Sequence, residues 1–457
     1  MLCALGLFTM SWDRLANIGL GPYNVKLPVV LLTVAALLLI PEWWLRGAGW
    51  VRARGPLRWL VLVAIVMIVL YSVRALFVSP ITAGLAQVVA LGTGAVAPAL
   101  AVIGVVRSRA DVVWALRWVL AGAVVAGLFG LWQLIAFYTG LPQLIAYTGV
   151  GTSGEGGRIA AFNYEPAYFA YFLVLVVACR VALARLTGMK VGWWSIGFFG
   201  VLLTLVNARS LLFLLPVLAL LLAVAWRAHR ALLLRGVVAA VVLGALSFAV
   251  PSVLDALPRG QAVASSVPSS TTVSAEPSAT PEPSDAGDAG DAGDSSPTEV
   301  APPQLPTNVF DPNEQSSNAP RLDLYKAVLR VDLDSPLLGV GAGGLRDALA
   351  RSGYVAPNQG LQVVANNEWL QAAADGGVPL LVLELAFVVL VAVLWWRARR
   401  DAAAQPLLAG WLTVLLVGGM LTSYYFDLKL WIVLGLALAA ITTADADDSD
   451  QAVSASS

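Results

Sequence analysis

The chain has 457 residues, of which 59% are apolar and 12% charged, with a mean hydropathy of +0.79. Soluble domains carry about 25% charged residues, so this composition excludes a chain whose main solvent is water and calls for a membrane protein. Basic and acidic residues balance at 28 each, which excludes the basic excess of a nucleic-acid binder and leaves partners to be read from local sequence.

A helix that crosses a bilayer needs about 20 mostly apolar residues. The first ten residues are apolar, and no small-residue cleavage site precedes Asp13 and Arg14. That pattern fits a short first membrane segment better than a removable signal peptide. Full-length apolar stretches follow at 26–45, 58–78, 82–106, 112–138 and 164–185. The block 191–251 is too long for one span, and Asn207-Ala208-Arg209-Ser210 and the basic cluster Arg227 to Arg235 divide it into three. The last stretches lie at 377–396, 404–424 and 427–443, for a total of 11 or 12. Unpaired backbone groups cost several kcal/mol in lipid. Every span is therefore expected to be helical, and the fold class is an all-α polytopic membrane protein. Residues 1–251 form the N-terminal bundle and 377–443 the C-terminal helices.

Basic residues in short loops accumulate on the cytoplasmic side. Arg46 to Arg58, Arg107 to Arg117, Arg180 to Lys190, Arg227 to Arg235 and Arg397 to Arg400 mark five such loops. The connections near Ser79-Pro80, 139–163, 207–210 and 425–429, and the large loop 252–376, are then expected outside the cytoplasm. The acidic residues 444–457 form a disordered cytoplasmic tail. The location is a cytoplasmic membrane crossed many times, with membrane lipids as constant partners.

The large loop has two unlike parts. Residues 252–320 are rich in Ser, Pro, Ala and Asp, with an Asp-Ala-Gly repeat from Asp285 to Asp294. They lack the apolar content for a core and are expected to be disordered. The repeat also lacks the spacing and bidentate glutamate of a calcium loop. Residues 321–376 change character. Apolar residues recur at helical spacing from Arg321 to Val331, followed by the turn-rich run Asp334-Ser-Pro-Leu-Leu-Gly-Val-Gly-Ala-Gly-Gly344. This part is expected to fold.

Cys3 and Cys179 lie in apolar runs as small hydrophobes, and His229, the single histidine, sits in a basic turn; neither supports a disulfide framework or a metal site. Ionisable residues at the apolar boundary carry the functional signal, because burying them is costly without a partner. Arg209 stands between two apolar segments, Arg158 and Glu165 flank Ala160-Ala-Phe-Asn-Tyr164, Arg321 opens the folded half of the loop, and Glu368 and Asp375 close it. Each has a plainer explanation. Arg209 can snorkel to the interface. Glu165-Pro166 can be an ordinary helix start. Arg321 can pair at the surface with Asp323 or Asp332, and the glycine run can be a turn, since it lacks the Lys-Ser/Thr ending of a P-loop. Arginines and a glycine-rich backbone around one cavity would nonetheless suit a diphosphate, which guanidinium groups bind in a bidentate fashion.

The segment from Arg321 to Pro379 resembles the signature region of the O-antigen ligase and polymerase family of membrane glycosyltransferases. The resemblance rests on Asp334-Ser-Pro-Leu-Leu-Gly-Val-Gly341-Ala-Gly343, then Asn366-Asn367-Glu368-Trp-Leu-Gln371, then Gly377-Val-Pro379. Glu165-Pro166-Ala-Tyr168 is similar to the family's Glu-Pro-x-Tyr helix start, and Arg209-Ser210 to its Ser-Arg turn. The resemblance implies transfer of a glycan from a polyprenyl diphosphate-linked donor to an acceptor hydroxyl on a glycan or lipid, in surface polysaccharide biosynthesis, without cofactor or metal. It implies that Arg209 and Arg321 hold the diphosphate. Arg158, Glu165, Tyr168, Gly341, Gly343 and Asn367 would contact substrate. The family's histidine before the motif asparagine is Asn366 here. Asparagine can orient a hydroxyl but cannot act as a base at neutral pH. Three alternatives remain: Glu368 or Glu165 takes the proton, diphosphate departure alone carries the reaction, or the chain transfers nothing. A small-anion transporter would also use an arginine-lined outer cavity, although no half-to-half repeat is visible. A non-catalytic scaffold for envelope assembly would tolerate the missing histidine.

Overall fold

In a computed structural model of the chain, the described residues are 1–15, 18–20, 23–46, 55–142, 144, 159–163, 165–190, 192–206, 208, 210–225, 238, 242, 318–354, 364–420 and 427–456. His229, nearly all of the third segment of the 191–251 block and the Asp-Ala-Gly repeat lie outside them. The chain is an all-α polytopic membrane protein. A short helix α1 (Leu2–Phe8) leads to a small antiparallel hairpin, β1 (Ile18–Leu20) and β2 (Tyr23–Val25), with Ile18 opposite Val25. The bundle continues with α2 (Leu27–Arg46), α3 (Pro56–Ala75), α4 (Ile81–Leu91), α5 (Ala97–Val105), α6 (Arg109–Thr139), α7 (Pro166–Thr187), α8 (Trp193–Val206) and α9 (Leu211–Ala225). A π-helical turn, Gly92–Val96, joins α4 and α5 into one apolar rod.

The large loop contributes α10 (Asn318–Asp334) and α11 (Leu345–Arg351). Then come α12 (Glu368–Arg397), α13 (Ala404–Thr413), a π-helical turn Val414–Gly418, and α14 (Leu428–Ser456). Among the described residues, five rods are long and apolar enough to cross a membrane: α3, α4–α5, α6, α7 and α12 with the turn that follows it. The N-terminal run forms only the seven residues of α1. The acidic residues expected as a disordered tail continue α14 as helix to Ser456; no glycine or proline interrupts the chain after Gly435.

The rods begin and end where the sequence supplies caps. Ser108 and Asp111 form a reciprocal capping box at the start of α6, and left-handed Gly140 and Gly188 follow α6 and α7. Of the five rods, α7 is the most deeply buried and α3 the most peripheral. The open faces of α3 and α12 are apolar, as lipid requires: Leu62, Ile65 and Val69 on one, Val382, Leu385 and Val389 on the other. Small residues bring backbones together, and a Cβ on Gly122 of α6 would meet the Phe8 carbonyl of α1.

The two ends of the bundle differ sharply. At one end lie Arg107, Arg109, Arg180, Arg185 and Arg397 to Arg400. There Arg185 donates to Gln405 Oε1 at 2.8 Å and Arg109 to the Leu186 carbonyl at 3.5 Å. The other end carries α10, α11, the start of α12 and the start of α7. There the Glu368 N–H donates to the Gly419 carbonyl at 2.6 Å, joining α12 to the turn after α13. This second end holds the polar clusters.

Candidate functional site

The site is built around a break in α12. Gly377 has φ 68° and ψ −169°, a conformation essentially restricted to glycine, and it separates Glu368–Gly376 from the spanning half of the helix. The loop after α10 docks into this break. The Val340 N–H donates to Ala374 O at 2.6 Å and the Val378 N–H to Pro336 O at 2.7 Å. A Cβ on Gly377 would lie 2.5 Å from the Leu337 carbonyl carbon, and one on Gly339 would collide with the Ala374 carbonyl. From the other side, Arg74 of α3 donates through Nη2 to the Gly339 carbonyl at 3.1 Å.

Gly341 and Gly343 are used in the same way. A Cβ on Gly341 would stand 2.6 Å from Val78 Cγ2, and one on Gly343 would stand 3.2 Å from Gln87 Cγ. The glycine run thus lets a loop wedge between the α3–α4 corner and the break in α12, a reason for these glycines that is independent of any ligand. Gly377→Ala is expected to destabilise the protein by about 2–3 kcal/mol, through backbone strain and the clash with Leu337. The control Gly197→Ala, with open space around it, should stay within about 0.5 kcal/mol. Thermal unfolding in detergent separates the two.

The half-helix before the break carries the motif side chains. Asn367 is its N-cap: Oδ1 accepts from the Leu370 N–H at 3.1 Å, and Nδ2 donates to Met420 O at 3.3 Å. Gln371 accepts from the Ala365 N–H at 2.9 Å and donates to Asp375 Oδ1 at 2.9 Å. Glu368, Gln371 and Asp375 share one buried face, as a spacing of three and then four residues dictates. Tyr71 of α3 is buried within electrostatic reach of Glu368 and Asp375. Asn366 adopts a left-handed φ of 51°, and its carbonyl accepts from the Tyr325 hydroxyl of α10 at 2.9 Å.

Asp332 of α10 completes this group. It lies within electrostatic reach of Asp375 and is 9% exposed, and neither carboxylate oxygen has a hydrogen-bond partner among the described residues. Burial pushes its carboxyl from 3.8 up to about 7. Asp332 is thus not a surface residue; Asp323 pairs with Lys326 at 3.1 Å, and the Arg321 side chain lies outside the described residues. Because the folded protein favours the neutral acid, Asp332 costs no stability below pH 4 and an increasing amount as pH rises toward 7. Asp332→Asn is therefore expected to stabilise the protein by about 1–2 kcal/mol at pH 8, a value discounted for residual solvent access. The gain should vanish near pH 4 in melting curves taken across that range.

A second cluster at the same end was not singled out from the sequence. Asp13, after α1, accepts from Lys26 Nζ at 2.9 Å and from Lys429 Nζ at 2.8 Å. Lys429 also lies 3.3 Å from Asp427 and 6.0 Å from the centre of the Tyr168 ring. Burial alone would raise the Asp13 carboxyl, but the two ammonium groups more than offset it and hold it below the ordinary carboxylate range. Glu165 precedes Pro166 as the N-cap of α7, and its side chain makes no capping hydrogen bond.

Asn366, Asn367 and Glu368 stand at the start of the half-helix that ends in the break, and Gly341 and Gly343 lie in the loop that docks into that break. The structure places Glu165 and Tyr168 at the same end, beside the Lys429 cluster. Arg158 and Arg209 lie outside the described residues; Ile159, next to Arg158, donates its backbone N–H to the carbonyl of Leu205, four residues before Arg209, at 3.5 Å. Arg321 contributes backbone to α10, and its side chain lies outside the description. The residues missed in the sequence are Tyr71, Arg74, Tyr325, Asp332, Asp13 and Lys429. Only Tyr325 and Asp332 carried a signal, because they fall four and eleven residues after Arg321 on one helical face. Among the described residues, no group of three His, Cys, Asp or Glu could hold a metal ion.

Residues 194–385 match the family model described as "Wzy_C: O-Antigen ligase". The match runs from α8 to Leu385 in α12, so it contains Arg209, Arg321, the glycine run and Asn366. No curated protein matches the chain.

Proposed function

From a chain that is O-antigen ligase-like over residues 194–385, we propose a membrane glycosyltransferase that moves a glycan from a polyprenyl diphosphate-linked donor to an acceptor hydroxyl, on the outer face of the cytoplasmic membrane. The observation that carries this reading is the meeting, at one end of the bundle, of the α10 loop, the Asn366–Gln371 motif and the break at Gly377, all inside the matched region. The arginine-rich opposite end supports placing the site outside, because positive loops stay in the cytoplasm.

In this mechanism the bond between the sugar's anomeric carbon and the diphosphate oxygen breaks, and negative charge grows on the leaving diphosphate. Arg209 and Arg321 neutralise it. The acceptor hydroxyl oxygen forms the new bond to the same carbon. Asn366 orients that hydroxyl, and the nearby carboxylate of Glu368 takes its proton. Arg158, Glu165 and Tyr168 contact phosphate or sugar at the α7 side of the cavity.

The direct test uses the protein in lipid nanodiscs with a polyprenyl diphosphate-linked glycan and a hydroxyl acceptor. Release of polyprenyl diphosphate in step with glycosylated acceptor is the expected result; an intact donor across a range of acceptors sinks the reading. In cells lacking the protein, long polymer left on the carrier identifies a ligase, and single repeat units identify a polymerase.

A further inference from the structure

α10 has three faces. At about 100° per residue, Leu324, Ala327, Val328, Val331 and Asp332 form the buried face, and its apolar members pack on Leu345, Ala348 and Leu349 of α11 and on Ala374 of α12. A second face carries Lys326, Arg330, Asp323 and Asp334, all exposed. The third is a narrow apolar row, Leu322, Leu329 and Leu333, with exposures of 55%, 49% and 69%. Leu337 and Leu338 extend it at 70% and 58%. A helix standing in water needs two faces, one buried and one polar. Five exposed leucines beside a complete charged row form an apolar patch of the kind that marks a binding surface.

The neighbours of this row identify what covers it. The bond from the Val378 N–H to Pro336 O seats the Leu337–Leu338 turn against the start of the spanning half of α12. The open apolar side chains Val378, Val382, Leu385 and Val389 follow from there. On the other flank, Gly341 packs against Val78, next to the exposed Leu76 and Phe77 at the end of α3. The leucine row therefore adjoins the open apolar surface of α12 and lies near that at the end of α3.

We propose that α10 lies in the interface of the adjacent membrane leaflet, with Leu322, Leu329, Leu333, Leu337 and Leu338 among the acyl chains. Lys326 and Arg330 stand at headgroup level, as in interfacial amphipathic helices. The covering partner is the bilayer itself. This placement stands apart from the proposed reaction. If that reaction is also correct, Tyr325, whose register position borders the leucine row, stands beside a lipid-borne donor at the membrane surface.

The test places a fluorescent thiol probe at Leu329→Cys, Leu333→Cys or Leu338→Cys, and at Asp323→Cys for contrast, in the full chain reconstituted in phosphatidylcholine/phosphatidylglycerol vesicles. Cys3 and Cys179 are buried, and the wild-type chain measures any labelling they accept. The leucine-row probes should be quenched by spin-labelled lipid, and their quenching by aqueous iodide should be weaker than at position 323 by roughly threefold or more. Probes on the row that iodide reaches as freely as position 323 overturn the proposal. So does shielding that disappears on diluting the protein in the vesicles, which would make the cover a second copy of the chain. Both readouts report depth alone, so a protein that transfers no glycan can still confirm or refute the placement.

Discussion

Arg321→Ala is expected to reduce glycan transfer by about 10²–10³-fold, the range seen when one preorganised charge-stabilising donor is removed from a reaction centre. The diphosphate leaves with its charge unshared by any proton, so a guanidinium that meets it lowers the barrier more than it lowers the energy of the bound donor. Most of the loss should appear in kcat. Arg321→Lys should recover part of it, because an ammonium keeps the charge but loses the planar fork that binds two oxygens at once. Arg209→Ala should lie in the same range, and the double variant should fall well short of the product of the two losses, since both act on one leaving group. The measurement is release of polyprenyl diphosphate in nanodiscs at saturating donor. Unchanged transfer in both single variants would remove the diphosphate role and the proposed function with it.

Lys429→Met is expected to destabilise the protein by about 3–5 kcal/mol, the cost of removing one partner from a buried ion pair. The side chains of Asp13, Lys429 and Asp427 are 4%, 3% and 9% exposed, and Lys26, at 27%, is the member that solvent reaches. Two carboxylates and two ammonium groups balance in this cluster. Loss of Lys429 leaves Asp427 and Asp13 facing one partly hydrated lysine. The double variant Asp13→Asn with Lys429→Met should be less harmful than the sum of the two single changes, because it removes both charges of the pair. Since the Asp13 carboxyl is held below its ordinary value of 3.8, its contribution is complete above that pH and is lost as pH falls below it. Thermal unfolding in detergent measures each variant, and a loss under about 0.5 kcal/mol for Lys429→Met would show that the cluster is not a structural tie.

Asp13 and Lys429 show where sequence reading stops. They are 416 residues apart, and in the sequence one follows a short apolar run and the other is a lone lysine between helices. No local pattern joins them. The glycine run gave a related difficulty, because its spacing was compatible with a turn or a phosphate cradle. The packing reason for these glycines, the Ala374 carbonyl and the break at Gly377, lies more than thirty residues further along. Asp332, considered as a surface partner of Arg321, is instead buried against α12. The π-helical turns after α4 and α13 and the helical course of residues 445–456 were not foreseen either.

What the sequence determined by itself was the set of rods. The expected spans 58–78, 82–106, 112–138, 164–185 and 377–396 appear in Pro56–Ala75, Ile81–Val105, Arg109–Thr139, Pro166–Thr187 and Glu368–Arg400, and the stretch 26–45 as the helix Leu27–Arg46. Their length follows from bilayer thickness, and their hydrogen bonds close within four residues, so both are written in local composition. The O-antigen ligase resemblance was likewise carried by short contiguous motifs. Only the tertiary structure decided which polar groups meet: which carboxylates pair, which one has no hydrogen-bond partner among the described residues, and which face of α10 is left bare. Those outcomes depend on contacts between distant segments, where the direction of each side chain and the exclusion of water are properties of the packed bundle and of no single stretch of chain.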